Sequence, residues 1–315
     1  MLDSDRKPAV RCRNKQRREG YGMTHVAQEL AGQPECWARA ASEAAQHRAA
    51  LPTPGERVAI VGCGTSYFMA QAAAALRESA GQGETDAFAA SEFPAGRAYD
   101  RVVALTRSGT TTEVLDLLGA LRGRTRTTAV TADPGTPVMA AADDVVVLDY
   151  ADERSVVQTR FATTALTLLR AHLGLHTDAA VADARAALAA ELPQGLVECA
   201  QFTFLGRGWT VGLANEAALK MREASLSWTE AYPAMEYRHG PISVTTRNTA
   251  TWMFGEAPRG LAGQVRQTGG MWIEGHLDPL AELVRAQRLA VAVAAARGLD
   301  PDRPRHLTRS VILAP

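Results

Sequence analysis

The chain has 315 residues, with 34 basic and 34 acidic side chains and a formal net charge of zero. That length suffices for two ordinary domains, and the charge balance lacks the basic excess that marks nucleic-acid-binding proteins. No apolar run approaches the roughly 18 residues of a membrane span. The four dispersed cysteines, Cys12, Cys36, Cys63 and Cys199, read as reduced thiols of a cytoplasmic protein.

Residues 1–22 hold seven basic side chains against three acidic ones and show almost no apolar periodicity. They read as a disordered basic leader rather than a signal peptide. Residues 23–52 form an Ala-rich helical segment, which LPTPGE (51–56) breaks with two prolines and a glycine. Strands and helices then alternate: RVAIV (57–61), a helix over 67–79, ETDAFAA (84–90), RVVALT (101–106), a helix over 111–121, TRTTAVTA (125–132) and DVVVLDY (144–150). The strands are apolar throughout, as in a parallel sheet covered on both faces, so residues 53–175 predict a doubly wound α/β domain. Helical patterns follow over about 156–173 and 178–200, the latter within a connecting segment at 176–200.

From Phe202 the chain repeats itself. Gly62 and Gly64 fall on Gly206 and Gly208, and the same offset of 144 residues places Glu92-Phe93 on Glu236-Tyr237 and Gly96 on Gly240. Such self-similarity predicts a second related α/β domain over 201–299, followed by a tail at 300–315. The copy is unfaithful in one place: TRSGTTTE (106–113) has no hydroxyl-rich counterpart near 250–257 (ATWMFGEA).

Two loops of the first domain sit at the carboxyl ends of strands, where open α/β sheets bind ligands. These are GCGTS (62–66) and TRSGTTTE. Each leads into a helix N-terminus, which favours an anion. Thr65, Ser66, Ser108 and Thr111 add hydroxyls, while Gly64 and Gly109 let the backbone come close. One such turn would be an ordinary helix cap; two in one sheet, with hydroxyls beyond capping needs, point to a phosphate monoester. Neither loop carries a P-loop lysine. A dinucleotide fingerprint starting at GCG is the competing reading, but Tyr67 occupies its third glycine position.

In NEAALKMRE (215–223), Glu216, Lys220 and Glu223 share one helical face, which for most helices would be a solvated ion-pair face. Three of the 34 basic residues are lysines (Lys7, Lys15 and Lys220), so past the leader Lys220 is alone among arginines. His239 stands on a Gly-Pro turn in AMEYRHGP (234–241). His172 and His176 are spaced like metal ligands but no third ligand stands near them. No metal and no cofactor are expected.

CGTS, SGTTTE, SVVQTRFATTALTLL (155–169), FLGRG, NEAALKMREAS, TEAYPAMEYRHGP and DPDRPRHLTRSV (300–311) follow one another in an order that resembles the sugar-isomerase (SIS) family. The resemblance is strongest to the isomerase half of glucosamine-6-phosphate synthases and their stand-alone relatives, and runs from about Met23 to the C-terminus. It implies two tandem SIS domains, each a flavodoxin-like three-layer α/β unit, in a homodimer with shared active sites. It implies a phosphorylated ketose or amino sugar as ligand. By motif position, Gly64, Thr65, Ser66, Thr106, Arg107, Ser108 and Thr111 would hold it, with Val156 nearby. Glu223 falls on the proton-shuttling carboxylate and Lys220 on a second active-site position. His239 falls on the ring-opening histidine, which the partner subunit supplies.

Three departures stand out. The chain shows no glutaminase domain or N-terminal cysteine nucleophile, so glutamine-dependent amide transfer is not expected of it alone. Arg107 replaces a glutamine and Gln158 a serine. Arg309 replaces the tail lysine that forms an imine with the sugar, and a guanidinium stays protonated and cannot do so. The expectation is isomerisation, deamination or deglycation of a sugar or amino-sugar 6-phosphate; the alternative is a non-catalytic phosphosugar sensor or inactive paralogue. The tail is expected to dock its apolar end, VILAP, and to reach the sugar with Arg309.

Overall fold

The computed structural model describes residues 24–314, so the leader read from the sequence lies outside the described residues. Helix α1 (His25–Ala31) begins where the Thr24 hydroxyl accepts from the Ala27 N–H. Gly32 ends it, and Pro34, tolerated in a first turn, opens α2 (Gln33–Glu43).

Five parallel strands follow: β1 (Val58–Gly62), β2 (Thr85–Ala89), β3 (Arg101–Leu105), β4 (Arg126–Thr131) and β5 (Asp144–Val147). Their order in the sheet is β2-β1-β3-β4-β5. Both β1 and β3 are buried along their whole length, as continuous apolar runs require. Helix α3 (Thr65–Ser79) follows β1, α4 (Thr112–Leu121) follows β3, and the single turn α5 (Val138–Ala141) follows β4. Helices α6 (Arg160–His172) and α7 (Asp178–Ala189) lead to a second parallel sheet. The sequence pattern carried α7 on to residue 200, but the helix stops at Ala189. Ala190 is already extended, and Pro193, which lacks an N–H and drives its predecessor out of helical geometry, keeps the helix from resuming.

The second sheet holds β6 (Gln201–Gly206), β7 (Trp228–Pro233), β8 (Thr249–Met253) and β9 (Met271–Glu274), in the order β7-β6-β8-β9. Its helices are α8 (Thr210–Ser225), α9 (Leu261–Gln267) and α10 (Pro279–Ala296). The strand order repeats that of the first sheet without its fifth strand. One apolar core runs between the sheets, joining Ile60, Val103 and Val130 to Phe202, Phe204 and Trp252. The outer face of each sheet has its own smaller core, Val61, Val102 and Leu118 on one and Leu205, Met253 and Val265 on the other.

The offset of 144 residues has a structural counterpart. Gly64 and Gly208 share a positive φ, +55° and +53°. A Cβ on Gly62 would lie 2.6 Å from the Ser66 backbone, and one on Gly206 would lie 2.3 Å from the Thr210 carbonyl oxygen, so both turns need glycine. Asn215 Nδ2 donates to Gln71 Oε1 at 2.8 Å, and these two residues are themselves 144 apart.

Candidate active site

Strand β1 has β2 on one side and β3 on the other, so the chain reverses direction between β1 and β3. A crevice opens at that switch point, and a cavity of about 200 Å³ lies there. GCGTS and TRSGTTTE form its wall. Gly109 has φ +61°, and a Cβ on it would lie 2.1 Å from Thr136 Oγ1, so only glycine lets the second loop turn here. Thr65, Ser66, Ser108 and Thr111 bring hydroxyls to the two helix N-termini. Thr106 lines the same cavity, and its hydroxyl is buried without a hydrogen-bond partner. An unpaired buried hydroxyl costs about 1–3 kcal/mol, which a bound ligand would relieve. The neighbouring Cys63 thiol is pushed up to about 11 by burial, and so remains a neutral thiol at the wall.

Glu223 faces the same cavity from α8. The Glu216, Lys220, Glu223 face is not solvated: Glu216 and Lys220 are each 1% exposed. Lys220 Nζ donates to Thr65 Oγ1 at 2.9 Å and to the Glu223 carboxylate, and lies 3.5 Å from Glu216 Oε1. It thereby joins the phosphate-type loop of the first sheet to the carboxylate of the second. Burial alone would depress the Lys220 ammonium, but the carboxylates of Glu216 and Glu223 outweigh it and hold it above its usual value. Glu216 has no hydrogen bond to either carboxylate oxygen. Burial pushes its carboxyl up to about 8, against the pull of Lys220.

The rest of the wall comes from the loop before α6 and from the tail. Val156 and Gln158 line the cavity from the loop, and Leu307 to Val311 from the tail. Arg107 is buried, and it donates through Nη1 to the Ser155 carbonyl at 2.9 Å and through Nη2 to the Arg309 carbonyl at 3.0 Å. The Glu153 carboxylate lies 3.8 Å behind it. Arg309 donates to Asp152 Oδ1 at 2.5 Å and to the Glu153 carbonyl. Val311, Ile312 and Leu313 remain exposed, so the apolar end does not dock as expected. The tail is instead fixed by its backbone: Thr112 N donates to the Val311 carbonyl at 3.1 Å, and Leu313 N to Thr112 Oγ1 at 2.9 Å.

The structure thus brings together Gly64, Thr65, Ser66, Thr106, Arg107, Ser108, Thr111, Val156, Glu223 and Arg309 around one cavity, with Lys220 directly behind it. His239 lies elsewhere, exposed on the turn after β7. Two features escaped sequence reading. Ser310 was one hydroxyl among many, with no signal for its contacts. Glu153 and Asp152 precede the recognisable loop motif and only the folded loop turns them toward the arginines. Among the described residues, no group of three His, Cys, Asp or Glu side chains is placed to hold a metal ion, and no helix is long and apolar enough to cross a membrane.

Residues 53–173 match the model of the SIS domain family. Over 303 residues the chain is 27% identical to a glutamine–fructose-6-phosphate aminotransferase [isomerizing] of Methanothermobacter thermautotrophicus, covering 81% of this chain and 51% of that protein. It is 30% identical over 314 residues to the protein of the same name from Caulobacter vibrioides, covering 81% and 52%. The chain spans about half the length of these curated relatives. A glucosamine-6-phosphate deaminase structure from Thermotoga maritima superposes with a TM-score of 0.77 at 25% identity, covering 92% of this chain and 100% of that one. The tagatose-6-phosphate ketose/aldose isomerase of Escherichia coli shares the fold at 18% identity, with a TM-score of 0.77 and coverage of 93% and 96%. Residues 53–173 are therefore similar to the SIS domain family, and the chain has a fold it shares with proteins named as sugar-phosphate isomerases and deaminases.

Proposed function

We propose that the cavity binds a sugar or amino-sugar 6-phosphate and that the protein isomerises, deaminates or deglycates it. One observation carries this reading: the Glu223 carboxylate opens into the same small cavity as the hydroxyls of two helix N-termini. The phosphate would sit on Thr65, Ser66, Ser108 and Thr111, where N–H groups and dipoles favour a dianion. Glu223 would then lie toward the carbonyl end, where aldose–ketose chemistry needs one base to move a proton between adjacent carbons. Lys220, held protonated, would orient that carboxylate rather than act as a nucleophile. The SIS relatives with sugar-phosphate names support the substrate class.

The same reading takes the two sheets as tandem SIS units, about 53–175 and 201–299, in a cytoplasmic homodimer. His239 is exposed and outside the cavity of its own chain, which supports its service in a partner's site. A second reading, a non-catalytic phosphosugar sensor, rests on Arg309: its guanidinium is bound to Asp152 and offers no imine chemistry.

Thermal shift with glucosamine 6-phosphate and fructose 6-phosphate, each against the unphosphorylated sugar, tests binding. A ligand at 100 times its dissociation constant stabilises by about 2.7 kcal/mol. Equal shifts with and without the phosphate would sink the reading. Binding without turnover in a coupled assay of the dimer would favour the sensor.

A further inference from the structure

We propose that Arg107 and Arg309 are positioning residues that clasp the C-terminal tail over the hydroxyl loop, so that an anionic ligand must displace the tail to enter. The inference rests on the proposed phosphate seat.

The two arginines cross in opposite directions between the same two segments. Arg107 reaches from the first sheet to the tail backbone at Arg309 and to the loop backbone at Ser155, at 3.0 and 2.9 Å. Arg309 reaches back from the tail to Asp152 and the Glu153 carbonyl. Tail and loop are thus tied twice, once by each guanidinium. Both terminal nitrogens of Arg107, and those of Arg309, are engaged in these ties, which leaves Arg107 Nε as a buried donor without a partner.

The tail is tied across the donors that an anion would use. Ser310 Oγ lies 3.2 Å from Ser108 Oγ, 3.0 Å from Thr110 Oγ1 and 3.3 Å from Thr111 Oγ1. The Thr112 N–H, in the first turn of α4, already donates to the Val311 carbonyl. A phosphate seated at this helix N-terminus would need these same groups. The cavity left beneath is about 200 Å³, below the roughly 300–1,000 Å³ common for ligand sites.

Ordering each tail residue costs conformational entropy, and each hydrogen bond returns a net gain of comparable or smaller size. No apolar burial supplements the bonds, since Val311, Ile312 and Leu313 are exposed. The docked tail is therefore near balance, and removing either end of the clasp tips it toward release.

Hydrogen–deuterium exchange on the full chain, without ligand, tests the clasp directly. Arg309→Met and Asp152→Asn should each speed exchange of the Thr112 and Leu313 amides, the two that hold the tail backbone, about five- to thirtyfold, with Arg309→Lys restoring part of the protection and the core amides unmoved. Arg107→Gln should do the same. In parallel, inorganic phosphate and glucosamine 6-phosphate should associate faster and bind more tightly to Arg309→Met than to the parent. Unchanged tail exchange in Arg309→Met and Asp152→Asn would overturn the clasp. A loosened tail with weaker phosphate binding would also overturn the proposal, because the tail would then be part of the anion seat. A loosened tail in a protein that binds neither compound would support the clasp and remove the sugar-phosphate reading instead.

Discussion

Lys220 and Glu216 stand one helical turn apart with Nζ 3.5 Å from Oε1, each 1% exposed, and neither carboxylate oxygen of Glu216 has a hydrogen bond. The pair is a desolvated charge site rather than a surface ion pair, and its cost is tolerable because Lys220 also serves Thr65 and Glu223. Removing one member of a buried pair costs about 3–5 kcal/mol. Above about pH 8, where Glu216 is ionised, Lys220→Met should therefore lower the urea midpoint strongly, and adding Glu216→Gln should recover a large part of the loss. Additive losses in the double variant would show that the two do not interact.

The raised carboxyl of Glu216 sets a pH dependence of stability. Its folded value, about 8, exceeds the usual value of 4.5. The folded state thus keeps a proton that the unfolded chain releases, so the contribution of this group to stability is full below about pH 4.5 and is lost as pH rises through about 8. The slope from this group is at most about 1.4 kcal/mol per pH unit. Glu216→Gln should flatten the decline across that window, as read by chemical denaturation at a series of pH values.

Glu223→Gln should separate chemistry from binding. Loss of the proposed base should lower turnover by about 10²–10⁴-fold, while affinity for glucosamine 6-phosphate changes little, because the proposed phosphate contacts lie on the other sheet. Calorimetry and a coupled assay on the same preparation would read both. Turnover near the parental level would remove Glu223 from the chemistry.

Gly109→Ala tests the phosphate loop through its backbone. The residue has φ +61°, and the added methyl would collide with Thr136. A substitution incompatible with its native φ costs more than about 0.4–1 kcal/mol, and the displaced loop should lose phosphate affinity. Parental affinity and stability together would mean that the loop adapts freely.

Mixing Glu223→Gln protein with His239→Ala protein tests the shared site. Each should be inactive alone, and heterodimers should regain part of the activity if His239 serves the partner. Verified heterodimers without activity would remove His239 from that role.

Much of the first sheet was legible because buried parallel strands leave continuous apolar runs such as RVVAL, and glycines mark the turns after them. The end of α7 was not, since an Ala-rich stretch keeps a helical pattern up to Pro193 while the helix stops at Ala189. VILAP suggested an apolar anchor, yet the tail is held through the backbone at Thr112 and Val311, which leaves no trace in side-chain pattern. Arg107 is expected as a ligand contact by its motif position alone; that its guanidinium also binds two backbone carbonyls is visible only in the fold. The charged face of α8 looks solvated by spacing alone, because burial of a charge depends on what packs against it.

The hydrogen bond between Gln71 and Asn215 joins two positions that occupy the same place in their respective halves. A single ancestral half, before any duplication, would have met its own copy through this contact, amide against amide. Joining the halves in one gene would have made that contact permanent and independent of concentration. It would also have released one half from carrying a ligand loop. The region near 250–257, without its hydroxyls, is where such a release would be visible, and the buried Lys220, which donates to Thr65 of the first half, is where the second half reaches across to the first.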